Sequence, residues 1–286
     1  MLKNMTQILK VADENNFAIP AFNIADYSMF NGIMEICEQA KAPVIIEIHP
    51  DELEHIGQEL LQAIRQKAFH TSIPVCIHLD HGASFAQVIL AIQSGFTSVM
   101  IDGSSLSFEE NIQICQKVVE AAHAVNVSVE GELGTIGSTD AEAEAGANKI
   151  IYTDPDDAAE FVKRAGVDTL AIAIGTSHGI YPAGVKPELK LELLTQIKEK
   201  VSVPLVLHGG SNNPDMEIGE AVKRGINKIN ISSDIKVAYY DKMREILRDE
   251  GLREPGSIQP PCVKAMQEVA LHKIKLFQAD SKAQLY

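Results

Sequence analysis

Short apolar, β-branched runs alternate along the chain with stretches whose apolar residues recur three and four positions apart. The runs predict strands over 18–23, 43–49, 75–80, 97–101, 127–132, 169–174, 204–208 and 228–231. The three-and-four spacing predicts helices over 29–40, 52–69, 85–94, 108–125, 156–165, 189–200 and 215–224, because a helix with one buried face repeats at that interval. Several strands are nearly all apolar, as parallel strands covered on both faces are. Pro43, Pro74 and Pro204 stand before or at strand starts, where no ladder N–H is lost. Eight strand–helix units without a linker or a composition shift predict an α/β, single-domain (β/α)8 TIM barrel spanning 1–286. A doubly wound sheet would carry a glycine-rich phosphate turn after its first strand, but the chain reads PAFNIADYS there. The small, acidic segment 134–149 lacks periodicity and reads as a mobile loop over the site. The tail 252–286 contains LREPGSIQPP and then a helical run.

Charge and cysteine usage narrow the function classes. Lys+Arg 25 against Asp+Glu 39 gives a net charge of −14 with no basic block, which argues against nucleic acid. No apolar run approaches the roughly 18 residues of a membrane span, and the first residues alternate at helical spacing rather than as a leader. Cys37, Cys76, Cys115 and Cys262 are scattered and read as reduced thiols of a cytoplasmic protein.

A barrel carries its chemistry at the C-terminal ends of its strands. Those ends read Asn23, His49, Asp80-His81, Asp102, Glu132, His178, His208 and Asn230, above strand interiors expected to be apolar. Any one of these histidines could be a surface or capping residue. His81, His178 and His208 lie on separate strand ends and each precedes a glycine, so together they point to a Zn2+ site with an open fourth position. His49 reads equally as a rim residue or a plain strand end, and His78 as a satisfied residue of a barrel layer. His55, His70, His123 and His272 fall in helical stretches and read as solvated. HGGSNNP and NISSD follow strands 7 and 8, where barrels frequently bind phosphate on backbone N–H groups.

At these residues the sequence resembles the class II, zinc-dependent ketose-bisphosphate aldolases, in the tagatose- and fructose-bisphosphate branch. AIPAFNI, IHLDHG, SVMIDGS, VSVEGELG, AIAIGTSHGIY, PLVLHGGS and KINISSD carry the resemblance in order over nearly the whole chain. It implies a cytoplasmic lyase of carbohydrate metabolism, a homodimer or homotetramer of (β/α)8 barrels. By its pattern Asp80 is the acid/base at the C4 hydroxyl, and His81, His178 and His208 hold one catalytic Zn2+ per subunit, with a monovalent cation also accommodated. Asp102 and Glu132 fall at alternative or supporting metal positions. Gly179, Gly209, Gly210, Ser211, Asn230, Ile231, Ser232 and Ser233 would bind the dihydroxyacetone-phosphate half. The implied reaction is reversible cleavage of C3–C4 in a ketose 1-phosphate or 1,6-bisphosphate, through a metal-stabilised enediolate, to dihydroxyacetone phosphate and an aldehyde.

The chain departs from that pattern in three places. The family's loop motif G-G-x-E-D reads Gly137-Ser138-Thr139-Asp140-Ala141, so Asp140 stands for the loop base with Glu142 and Glu144 close by. The family's D-P-R near the C-terminus reads Glu254-Pro255-Gly256, so the arginine for a distal phosphate is missing. Ser232 stands where fructose-bisphosphate enzymes place aspartate. Together the last two favour a substrate without a second phosphate. Two other readings remain at this level: a sugar-phosphate-binding barrel that has lost its loop base, and a metal-dependent hydrolase suggested by His78-Leu79-Asp80-His81.

Overall fold

The computed structural model describes residues 1–139, 149–182, 184–185 and 187–286. Its strands are β1 (Ile19–Asn23), β2 (Val44–Ile48), β3 (Val75–Gly82), β4 (Ser98–Ile101), β5 (Ser128–Leu133), β6 (Gly137–Ser138), β7 (Thr169–Ile172), β8 (Ser177–His178), β9 (Leu205–Leu207) and β10 (Ile226–Ile231). Eight of them pair in parallel in the order β1-β10-β9-β7-β5-β4-β3-β2, and β2 closes on β1. The two-residue strands β6 and β8 pair only with each other. This is a (β/α)8 barrel, and the eight runs of the sequence pattern are its staves.

The helices are α1 (Met5–Glu14), α2 (Tyr27–Ala40), α3 (Pro50–His70), α4 (Phe85–Ser94), α5 (Phe108–His123), α6 (Pro155–Ala165), α7 (Leu191–Lys200), α8 (Asp215–Lys223), α9 (Ser233–Ile246) and α10 (Pro255–Leu276). Local chemistry sets several starts. Asp26, Ser84, Ser107 and Asp154 each accept a hydrogen bond from a backbone N–H of the first turn, which satisfies a donor the helix itself cannot pair. α9 escapes the periodicity because its apolar residues are not confined to one face: Ile235 and Tyr239 are buried, while Val237 and Tyr240 are exposed. α10 also departs from expectation. It begins at Pro255 and runs through Pro260 and Pro261, inside the stretch that precedes the expected helical run. Proline at the first helical position loses no bond, and two further missing N–H groups are outweighed by packing of α10 on α2 and α9. Gly32 of α2 lets this contact close, since a Cβ there would lie 2.6 Å from Val263 Cγ1.

The barrel interior corrects one expectation. It is not apolar: Glu47, His78, Ser98, Ser128, Glu130, Thr169 and Lys228 are all buried on its strands. Lys228 Nζ lies 2.8 Å from Glu47 and 2.9 Å from Glu130, and His78 Nδ1 lies 2.8 Å from Ser98 Oγ. These groups are tolerated because their partners come from other strands or, for Ser128, from Thr6 of α1, a fact visible only once the barrel has closed. Among the described residues, no helix is long and apolar enough to cross a membrane.

Candidate active site

The end of β3 supplies two adjacent polar residues, Asp80 and His81, to the same rim of the barrel. Consecutive strand residues ordinarily face opposite sides of a sheet. Here the register of β3 against β4 shifts between Leu79 and Gly82, and His81 takes a left-handed φ of 47°. That irregularity breaks the alternation and brings His81 Nε2 to 3.9 Å from Asp80 Oδ1. A non-glycine residue in this region carries strain, which concentrates at functional positions. Asp80 is clamped from both sides: Asn23 Nδ2 donates to one carboxylate oxygen at 3.0 Å and Asn230 Nδ2 to the other at 3.2 Å.

His178 and His208 arrive from β8 and the end of β9. The ring centroids of His81 lie 4.7 Å from His208 and 5.1 Å from His178, and the latter two are 6.0 Å apart. One nitrogen of each ring falls within 4.8 Å of the others. His81 Nδ1 is tied to Asp102 at 3.0 Å, and Asp102 accepts from Ser104 Oγ at 2.7 Å. His208 Nε2 is tied to Glu130 at 2.8 Å. The remaining nitrogens, His81 Nε2, His178 Nε2 and His208 Nδ1, are buried without a hydrogen-bond partner. Orphaned buried atoms are costly, and a set of three converging lone pairs suits a cation. His81, Asp102 and Glu132 form an overlapping group of the same kind.

The electrostatics agree. Burial disfavours a charged imidazole, yet Glu130 and Glu132 push His208 up to about 10, and Asp80 and Asp102 push His81 up to about 9. Burial and its two cationic neighbours drive His178 well below the usual range. Burial would raise Asp80, but the charges of His81, His208 and Lys228 hold it well below the ordinary carboxylate range. The carboxylates around the histidines therefore demand positive charge at this point.

Two openings flank His178. One is lined by Asn23, Asp80, His178, Gly179, Gly209, Ser211, Asn230, Ser232 and Ser233, at the N-terminus of α9. Asp234 N donates to Ser211 Oγ at 3.2 Å, which joins the two loops. Gly209 has φ 63°, and a Cβ there would sit 2.7 Å from Ser177 O. Ile231 and Gly210 are not among these lining residues: the Ile231 side chain is fully buried in the core, and a Cβ on Gly210 would meet Ile229 Cγ2 at 2.4 Å. The second opening is wider, roughly 950 Å3, and is lined by His49, His81, Ala83, Asp102, Ser104, Ser105, Glu132, Thr135, Ile136 and His178.

His49 thus belongs to the rim, and it also caps α3 by accepting from Asp51 N at 3.3 Å. His78 lies in the lumen, while His123 and His272 pair with Asp168 and Asp215 on the surface. Asp140, Glu142 and Glu144, the candidates for the loop base, lie outside the described residues. Reading strand ends alone passed over Glu47, Glu130 and Lys228, which sit lower in the strands. Lys228 is fully buried against Glu130 and Glu47, and Glu130 foremost holds its ammonium above the usual lysine range despite burial.

A family model described as class II fructose-bisphosphate aldolase matches residues 3–282. The D-tagatose-1,6-bisphosphate aldolase subunit GatY of Klebsiella oxytoca is 37% identical over 269 residues, 93% of either chain. The crystal structure of the YdjI aldolase of Escherichia coli K12 superposes with a TM-score of 0.87 at 35% identity, over 99% of this chain and 100% of that one. The fructose-bisphosphate aldolase of Campylobacter jejuni, 23% identical, shares the fold with a TM-score of 0.82 over 98% and 96%. Barrel, motif order and relatives together make this chain a member of the class II fructose-bisphosphate aldolase family, an enzyme of the lyase class.

Proposed function

We propose that this aldolase reversibly cleaves the C3–C4 bond of a ketose 1-phosphate to dihydroxyacetone phosphate and an aldehyde, using one Zn2+ per subunit. One observation carries the reading: three partnerless buried imidazole nitrogens converge beside a carboxylate clamped by two amides. Nitrogen donors with an open fourth position suit Zn2+, which His81, His178 and His208 would hold, with Asp102 and Glu132 as alternative positions. When bound, the ion supplies Lewis-acid stabilisation of the negative charge that develops at the substrate's C2 oxygen. Asp80, kept ionised by its neighbours, accepts the C4 hydroxyl proton in cleavage and returns it in condensation. Asp140 is assigned the proton at C3. Gly179, Gly209, Ser211, Asn230, Ser232 and Ser233 bind the phosphate beside C1, where backbone N–H groups and the start of α9 favour an anion. A relative named as a subunit supports an oligomer, and four free buried cysteines support a cytoplasmic setting.

The aldehyde half occupies the wider opening. Among its described lining residues there is no lysine or arginine, and Arg253 and Lys264 are exposed elsewhere. A second phosphate would carry nearly two charges and needs a cation to hold it. Ser104, Ser105 and His49 match hydroxyl groups instead, so the favoured substrate has an uncharged, hydroxylated far end. Losing a charge-assisted contact costs about 1.5–3 kcal/mol, so a ketose 1,6-bisphosphate should be cleaved at least about tenfold less efficiently than its 1-phosphate. Coupled detection of dihydroxyacetone phosphate over a panel of both tests this. A preference for the bisphosphate would overturn the substrate reading, and full activity after exhaustive chelation would overturn the zinc reading.

A further inference from the structure

Below the three imidazoles, the lumen holds charged groups that the scheme above leaves unused. Lys228 Nζ touches both oxygens of Glu130, at 3.0 and 2.9 Å, and lies 2.8 Å from Glu47 on its other side. Glu130 Oε1 in turn accepts the Nε2–H of His208 at 2.8 Å, and Thr169 Oγ1 reaches its other oxygen at 3.5 Å. Glu47, Glu130, Lys228 and His208 are all inaccessible to solvent. Taking such groups out of water costs more than an apolar lumen would, so stability is a poor reason for their presence. Geometry supplies a better one. A neutral imidazole has one N–H and one lone pair, and the partner of the first decides where the second points. In a neutral His208 that gives its Nε2–H to Glu130, the lone pair is on Nδ1, the buried nitrogen that otherwise faces Glu132 Oε2 at 3.3 Å; a cation held by the three histidines would take that lone pair.

We infer that Lys228 is a positioning residue for the metal site: it pins Glu130 through both oxygens, and Glu130 holds His208 in the tautomer that presents Nδ1. Glu47, on β2, contacts the same ammonium at 2.8 Å. The inference rests on the zinc reading proposed above. Lys228→Met removes the pin while nearly preserving length and leaves Glu130 free to turn. In Lys228→Met/Glu130→Gln, the amide oxygen still accepts from His208 and no unpaired buried charge remains. In Lys228→Met/Glu130→Leu, charge is also removed but the acceptor is lost.

Zinc affinity of the purified full chain, measured by competition with a chromophoric chelator, reads the effect directly. Loss of an outer hydrogen-bond partner of a metal-bound histidine typically costs 10- to 100-fold in metal affinity, and Lys228→Met is expected to lose about that much. The glutamine double variant should recover most of the loss, and the leucine double variant should not. A merely structural lysine would not separate those two variants. If Lys228→Met alone does not fold, the two double variants decide the matter. Equal zinc affinity in both, or wild-type affinity in a folded Lys228→Met, overturns the inference while leaving the zinc reading intact. A wild-type chain that binds no zinc overturns the zinc reading and this inference with it.

Discussion

Asp80 shows how one side chain is prepared by residues distant in sequence. Burial alone would push its carboxyl upward, and the cationic groups around it reverse the direction. Asn23 and Asn230, from β1 and β10, fix both oxygens and leave little rotational freedom. A positioned acid/base is worth about two to four orders of magnitude in rate. Asp80→Ala should therefore lower kcat by about that factor while zinc content and far-UV circular dichroism stay at wild-type levels. Normal turnover in that variant would move the proton transfer to another group of the rim. Asp80 and the three histidines were legible in the chain because strand ends are recognisable and each histidine precedes a glycine. Lys228, Glu47 and Glu130 were not, because a charge inside an apolar run looks like an exposed position until its partners are known.

At the scale of elements, the site depends on how strands end rather than on how they pair. β9 is only three residues long and passes directly into Gly209, whose φ of 63° turns the backbone toward β8. An L-residue there bears about 1–2 kcal/mol of conformational strain, before any clash with Ser177 O. Gly209→Ala should lower stability by at least that amount in denaturant titration and raise KM more than it lowers kcat, since the phosphate wall moves. An unchanged KM would place the phosphate elsewhere. Helices α1 to α6 start on a capping side chain and α7 and α8 do not, nor do α9 and the early start of α10. Their residues report contacts made with each other and with α2, not a periodic face.

For the whole molecule, the charged lumen couples folding to pH. Burial and the nearby Asp80 push Glu47 up to about 8, against the pull of Lys228. An unfolded glutamate titrates near about 4.3. Between those values the folded chain keeps a proton that the unfolded chain releases, so stability falls as pH rises through that window and levels off above it. The slope is at most about 1.4 kcal/mol per pH unit. Glu47→Gln cannot titrate, so its Tm advantage over wild type should grow between pH 5 and pH 8 and then hold constant. A difference independent of pH would mean that Glu47 is ionised throughout.

What the linear chain determined by itself is whatever depends on neighbours in sequence. Apolar period set the eight strands and most helices, capping residues set helix starts, and strand ends located Asp80, His81, His178 and His208. Closure of the barrel decided the rest. It paired Lys228 with Glu47 and Glu130, brought Asn23 and Asn230 onto Asp80, and packed the Ile231 side chain into the core. Those relations join residues as distant in the chain as Glu47 and Lys228, or Asp80 and Asn230. No local propensity encodes them, because a buried polar group declares its partner only when both have left water.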